Sequence, residues 1–198
     1  ISAISLACDN KEDKLIKKQI KKIDNIVEQM LFYARSDSVE KDYFVKKVLL
    51  EDVVHTAIMN YMDSLIQKKI SLDVYNLENY VYIDEKWITF IICQVLQNSI
   101  KYLNKPEKVI KIHSENNKNN VVLVIEDNGE GILDHDLPRV FEYGFTGTDR
   151  QKQYSTGIGL YLCKKLCNKM NLDIKIESQY KKFTKVKIIF PKTNLYRQ

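Results

Sequence analysis

All six glycines of this 198-residue chain (Gly129, Gly131, Gly144, Gly147, Gly157, Gly159) fall between residues 129 and 159, and none occurs in the first 128. Backbone permissiveness confined to one stretch suits a loop that wraps a ligand better than a set of ordinary turns. The stretch opens with Ile125-Glu126-Asp127-Asn128-Gly129-Glu130-Gly131-Ile132. There a run of β-branched and apolar residues from Val121 delivers an Asp into a turn whose two glycines are free to take positive φ. A small-molecule site is the expectation.

With 44% hydrophobic residues, the chain can bury one good core and a second small element, so one to two domains are expected. The net charge of +5 is spread over lysines interleaved with acidic residues, and without a basic stripe nucleic acid is not an expected partner. Four cysteines (Cys8, Cys93, Cys163, Cys167) occur without a CxxC, which fits free thiols in a reducing compartment. Cys163 and Cys167 share a helix face and read as core filling rather than metal ligands. The longest uncharged stretch, Trp87 to Ile100, is too short to span a membrane and contains Gln94, Gln97 and Asn98. The chain begins at Ile1 inside what reads as a helix, so it is expected to be a fragment or trimmed piece.

In chain order, Ile1 to Cys8 keeps helical spacing and Asp9 to Asp13 breaks it, which predicts a helical hairpin. Its second helix, about Lys14 to Ser36, places Ile16, Ile20, Ile23, Val27, Met30 and Ala34 on a heptad seam opposite Lys17, Lys18, Lys21, Lys22 and Asp24. Such a seam needs a partner, and a dimeric four-helix bundle is expected. Residues 36–42 read as a linker, giving a helical hairpin over 1–38 and a second domain over 43–198. In that domain strands are predicted at 43–48, 70–74, 80–83, 109–114, 121–126, 173–179 and 183–190, and helices at 50–68, 85–103 and from Thr156 to about Met170. Asp84 is placed to cap the second of these helices and Thr156 the third. Residues 134–155 read as a long polar loop, expected to be either a lid or disordered.

Gln94, Asn98, Lys101 and Tyr102 stand at i, i+4, i+7 and i+8 on one flank of an otherwise apolar helix. Polar groups aligned beside a core face call for a partner, because Asn and Gln contribute little to a helix interior. An Asp on a glycine turn, an Asn-bearing flank and a glycine-rich helix start, whose bare amides attract phosphate, together describe a nucleotide site. No G-x-x-x-x-G-K-[ST] is present, so it is not a P-loop, and the protein-kinase motif set is missing too.

On these residues the chain resembles the ATP-binding domain of sensor histidine kinases, the Bergerat fold shared with gyrase, Hsp90 and MutL. Gln94 to Tyr102 resembles the family's N box, Asp127-Asn-Gly-Glu-Gly131-Ile132 the first glycine box, Arg139-Val-Phe141-Glu-Tyr-Gly-Phe145 the F box, and Thr156-Gly157-Ile158-Gly159-Leu160 the second glycine box. The resemblance implies an α+β two-layer sandwich, a mixed sheet of about five strands with three helices on one face. It also implies ATP and Mg²⁺ as cofactors. Asp127 would accept the adenine amino group, helped by Thr184 directly or through water. Asn98 would hold Mg²⁺, Lys101 and Tyr102 would contact phosphate, Gly157 and Gly159 would expose amides, and Phe141 and Phe145 would anchor the lid. Gln94, Gly129, Gly131, Ile132, Thr146, Gly147, Thr156, Ile158 and Leu160 complete the implied nucleotide-binding set. Gln94 departs from the Glu base of the ATP-hydrolysing relatives, and an amide cannot take a proton from water, which leans toward transfer over hydrolysis.

The front of the chain resembles the dimerising hairpin of the same kinases, whose acceptor histidine would lie just before Ile1, leaving no catalytic acceptor here. His55, His113 and His135 fall on a helix, a strand and the lid and do not replace it. Asp24 to Ser36 looks most like the short-sensor kinases that partner peptide-antibiotic transporters. The resemblance implies phosphoryl transfer from MgATP to a histidine and thence to a response-regulator Asp, homodimerisation, and a cytoplasmic domain anchored in a bacterial membrane only through a missing N-terminal part. A non-catalytic ATP-binding regulatory module and an ATPase clamp of the gyrase type are the alternatives.

Overall fold

The computed structural model describes residues 11–36, 43–148 and 155–192. The expected first hairpin helix, most of the linker and residues 149–154 of the lid lie outside this set. The chain divides between Lys41 and Asp42 into two compact units.

The described part of the first unit is one 26-residue helix, α1 (Lys11–Ser36), three residues longer at its start than the periodicity predicts. Ile16, Ile23, Val27 and Met30 of the expected seam are 41–52% exposed, and so are Ile26 and Leu31. The apolar surface of α1 is therefore a band wider than a strict heptad seam.

The second unit runs β1 (Lys46–Leu49), α2 (Leu50–Gln67), β2 (Ile70–Tyr75), β3 (Tyr80–Ile83), α3 (Glu85–Tyr102), β4 (Lys108–Asn116), β5 (Asn120–Asp127), α4 (Gly159–Lys169), β6 (Asp173–Gln179) and β7 (Phe183–Pro191). Five strands form one sheet in the order β2-β4-β5-β7-β6. β2 and β4 are parallel and the other neighbours antiparallel, so the sheet is mixed. β1 and β3 pair separately as an antiparallel ribbon, a split that local patterning does not reveal because pairing partners are non-local.

Alternation puts Ile110, Ile112, Leu123, Ile125, Val186, Ile188 and Ile174 on one sheet face, where all are buried. Against them pack the buried sides of α2 (Leu50, Val53, Val54, Ala57), α3 (Trp87, Ile88, Ile91, Ile92, Leu96) and α4 (Leu162, Leu166). Each buried Val, Leu or Ile among them contributes about 1.5–3 kcal/mol. The opposite face carries Glu126–Lys185 at 2.9 Å and Glu177–Lys187 at 2.5 Å. β5 is the middle strand, and Val121 to Ile125 are all buried. That is why this run is continuously apolar, and it aims Asp127 at the helix layer, in phase with Ile125 and Leu123.

Asp84 caps α3 as expected, accepting from the amides of Lys86 and Trp87 at 2.9 and 3.4 Å. Its other oxygen accepts from the Phe44 amide at 2.8 Å, tying the start of the domain to the core helix.

Candidate nucleotide site

Asp127 ends β5 with 4% exposure, and its two oxygens are each claimed. Oδ2 accepts from the Ser99 hydroxyl at 2.7 Å, and Oδ1 from the Gly129 amide at 3.0 Å. Burial is the main influence on the carboxyl and pushes its pKa up to about 6 from 3.8, against the lowering effect of both donors. Thr184 sits opposite Asp127 in the β5–β7 register, but its hydroxyl lies 3.4 Å from Ser178 Oγ. The hydroxyl that meets the carboxylate directly is that of Ser99 on α3, while Thr184 stays beside it in the register on β7. Only i+28 separation hides this pair in the sequence, and no local pattern could have found it.

The turn after Asp127 is fastened on three sides. The Glu130 amide donates to the Tyr102 carbonyl at 3.1 Å, joining the turn to the end of α3. Asn128 Oδ1 accepts from the Val109 amide at 3.0 Å, joining it to β4. The Ile132 amide donates to Ser178 Oγ at 2.8 Å, joining it to β6. Of the two glycines only Gly131 takes positive φ, at 69°. Gly129 is required for a different reason: a Cβ there would stand 2.7 Å from Asp127 Oδ1 and 2.8 Å from the Tyr102 carbonyl oxygen. Close approach, not backbone freedom, selects it.

On α3 the polar flank runs from the core outward. Gln94 is buried, Asn98 and Lys101 are half-buried, and Tyr102 is exposed. Lys101 Nζ donates to the Ser155 hydroxyl, and Tyr102 Oη lies 3.5 Å from the same oxygen. Two side chains able to donate hydrogen bonds thus converge on one hydroxyl oxygen immediately ahead of the second glycine box. α4 begins at Gly159, three residues later than predicted. Thr156 Oγ1 accepts from the Ile158 amide at 3.3 Å, and the residue in the capping position is Ile158, which has no side-chain acceptor. Thr156 therefore shapes the approach to the helix rather than capping it.

The F-box segment is tied to that helix start. The Gly144 amide donates to the Gly157 carbonyl at 3.1 Å, and Tyr143 and Tyr161 meet edge to face with centroids 5.2 Å apart. Phe145 lies 4.5 Å under the Arg139 guanidinium, and Phe141 5.8 Å from the Lys164 ammonium. Thr146 and Gly147 follow in the same loop, half-buried. Asp136, 5% exposed, accepts from the Thr148 amide at 3.1 Å and from its hydroxyl at 3.0 Å. This bond closes a loop that polarity alone would read as loose.

Residues 83–194 match the family described as histidine kinase-, DNA gyrase B-, and HSP90-like ATPase. The chain belongs to this family. Sensor protein BceS of Halalkalibacterium halodurans is 36% identical over 199 residues, covering 98% of this chain and 59% of the relative. Sensor protein kinase GraS of Staphylococcus aureus is 33% identical over 200 residues, covering 98% of this chain and 57% of the relative. The chain thus spans less than two thirds of the length of these curated relatives. The histidine kinase AdeS of Acinetobacter baumannii superposes with a TM-score of 0.72 at 20% identity, over 94% of this chain and 87% of that one, a likeness of fold.

The matched histidine kinase-, gyrase- and HSP90-like segment starts at the last residue of β3 and runs past β7. It contains Asp127 and its donors, the α3 flank and the start of α4, and leaves β1, α2 and β2 ahead of it. Both relatives' names fit the short-sensor subgroup that Asp24 to Ser36 resembles.

Proposed function

We propose that this domain binds MgATP and serves as the catalytic core of a sensor histidine kinase, passing the γ-phosphoryl to a histidine and thence to a response-regulator Asp. The observation that carries the reading is the buried Asp127 carboxylate, already in contact with two donors and raised to about 6 by desolvation. A third donor would relieve that burial, and the adenine amino group is one; guanine offers an oxygen there and is repelled. The donor set fits the rest of the ligand. Asn98 would give Mg²⁺ a neutral oxygen, Lys101 and Tyr102 would exchange the Ser155 hydroxyl for phosphate oxygens, and the first turn of α4 would add amides. Bound MgATP supplies the transferable phosphoryl group and the charge of its metal.

Phosphoryl transfer asks chiefly for positioning and charge neutralisation. In this reading Asp127 holds the base, the α3 flank holds the phosphates, and the F box, fastened to α4 through Gly144 and Gly157, holds the near side of the lid. Gln94 is 6% exposed and its amide is no proton acceptor, which supports transfer over attack by water. The whole protein would be a homodimer through its helical hairpin, on the cytoplasmic side of a membrane. Among the described residues no helix is long and apolar enough to cross one.

Calorimetry tests the reading. Asp127→Asn should weaken MgATP binding by about ten- to a hundredfold, the loss of one charged hydrogen bond. Unchanged binding would remove Asp127 from the site. With a hairpin bearing an acceptor histidine supplied, label from γ-labelled ATP should appear as acid-labile, base-stable phosphohistidine rather than as free phosphate.

A further inference from the structure

We propose that Ser99 is a positioning residue for base recognition, its hydroxyl confining Asp127 to the acceptor role that selects an amino over an oxo group at the purine 6-position. This rests on the reading of Asp127 as the adenine contact. Ser99 is 4% exposed on α3, one residue after Asn98, and it donates to Asp127 Oδ2 at 2.7 Å. A carboxylate turns about its Cβ–Cγ bond unless its oxygens are held. Here Gly129 holds Oδ1 from the turn and Ser99 holds Oδ2 from the helix. Both partners donate, so the group they hold is presented to any third partner as an acceptor. A 6-amino group satisfies it and a 6-oxo group does not.

The charged groups that influence the carboxylate, Glu126 on β5 and Lys105 after α3, act on it through space with opposite signs. Ile110 and Thr184, its register partners on β4 and β7, carry no charge. Orientation therefore falls to the two hydrogen-bond donors, and of these only Ser99 is a side chain.

The test compares ATP with inosine triphosphate and with purine riboside triphosphate, which lacks only the amino group, on the same chain. Ser99→Ala removes one oxygen and favours helix, so α3 is retained. It should lower the preference for ATP over either analogue about tenfold, while analogue binding stays near its original value. Each variant is its own reference, so a general loss of folded protein cancels in the ratio. Adding Ser99→Ala to Asp127→Asn should change the ratio no further, as expected of residues acting as one unit. If Ser99→Ala keeps the full preference while Asp127→Asn abolishes it, or if the two effects add in full, the role assigned to Ser99 is wrong and the adenine reading stands. If Asp127→Asn also keeps the preference, the adenine reading itself fails.

Discussion

Asp127 is where the fold gives up stability for a site. Its carboxyl is raised from 3.8 to about 6, chiefly by burial, with Glu126 adding and Ser99, Gly129 and Lys105 opposing. A pKa higher in the folded chain than in the unfolded one means that protonation stabilises the fold. That contribution is complete below the unfolded value of 3.8 and is lost as pH rises through about 6. At pH 7 the ligand-free domain thus carries an ionised carboxylate at a cost of about 3 kcal/mol. An amide can still accept from Gly129 and donate to Ser99 Oγ. Asp127→Asn should therefore raise the urea midpoint at pH 7.5, by an amount that shrinks toward pH 4. A variant less stable than the parent at pH 7.5 would mean that the two donors outweigh desolvation. The same substitution is expected to abolish base selection, so stability and binding move in opposite directions at one residue.

At the scale of elements, the site is a meeting of ends: the end of β5, the end of α3, the start of α4 and the F box. Gly157 shows how tightly two of these ends meet. Its φ is 68°, and a Cβ there would stand 2.3 Å from the carbonyl carbon of Gly144. Gly144 has a similar φ of 75°, yet a Cβ on it would meet nothing within 4 Å. Gly144→Ala should thus cost only the backbone penalty, about 1–2 kcal/mol. Gly157→Ala should cost more and separate the F box from α4, visible as a lower melting temperature and weaker ATP binding. Equal melting temperatures for the two variants would show that the Gly144–Gly157 contact does not hold the elements together. The sequence places both glycines in one cluster, but it does not say which of them faces backbone and which faces space.

For the whole molecule, the apolar band of α1 is the feature with consequences beyond one chain. Ile23, Val27 and Met30 are 52%, 47% and 41% exposed. In the proposed homodimer this band packs on a partner helix as the core of a bundle, and desolvating a charge there is costly. Val27→Glu should therefore lower the mass seen by sedimentation equilibrium toward that of a monomer. Circular dichroism of the catalytic unit should not change. Retention of the dimer would move the interface elsewhere.

Local patterning was enough for most elements, because β6 is bounded as its alternation predicts and α2 and α3 each end within a residue of their periodic pattern. It also marks Asp127, Asn98 and the glycines as candidates for one site, since scarce residue types at fixed spacing are visible along a chain. What it could not provide was partnership across distance. The pairing of β1 with β3 apart from the main sheet, the hydroxyl of Ser99 on Asp127, the Asp136–Thr148 bond and the contact of Gly144 with Gly157 all join residues remote in sequence. A hydroxyl or a glycine looks alike in sequence whether it faces solvent, backbone or carboxylate. Burial and register, which exist only once the sheet and helices have packed, decide which one it meets.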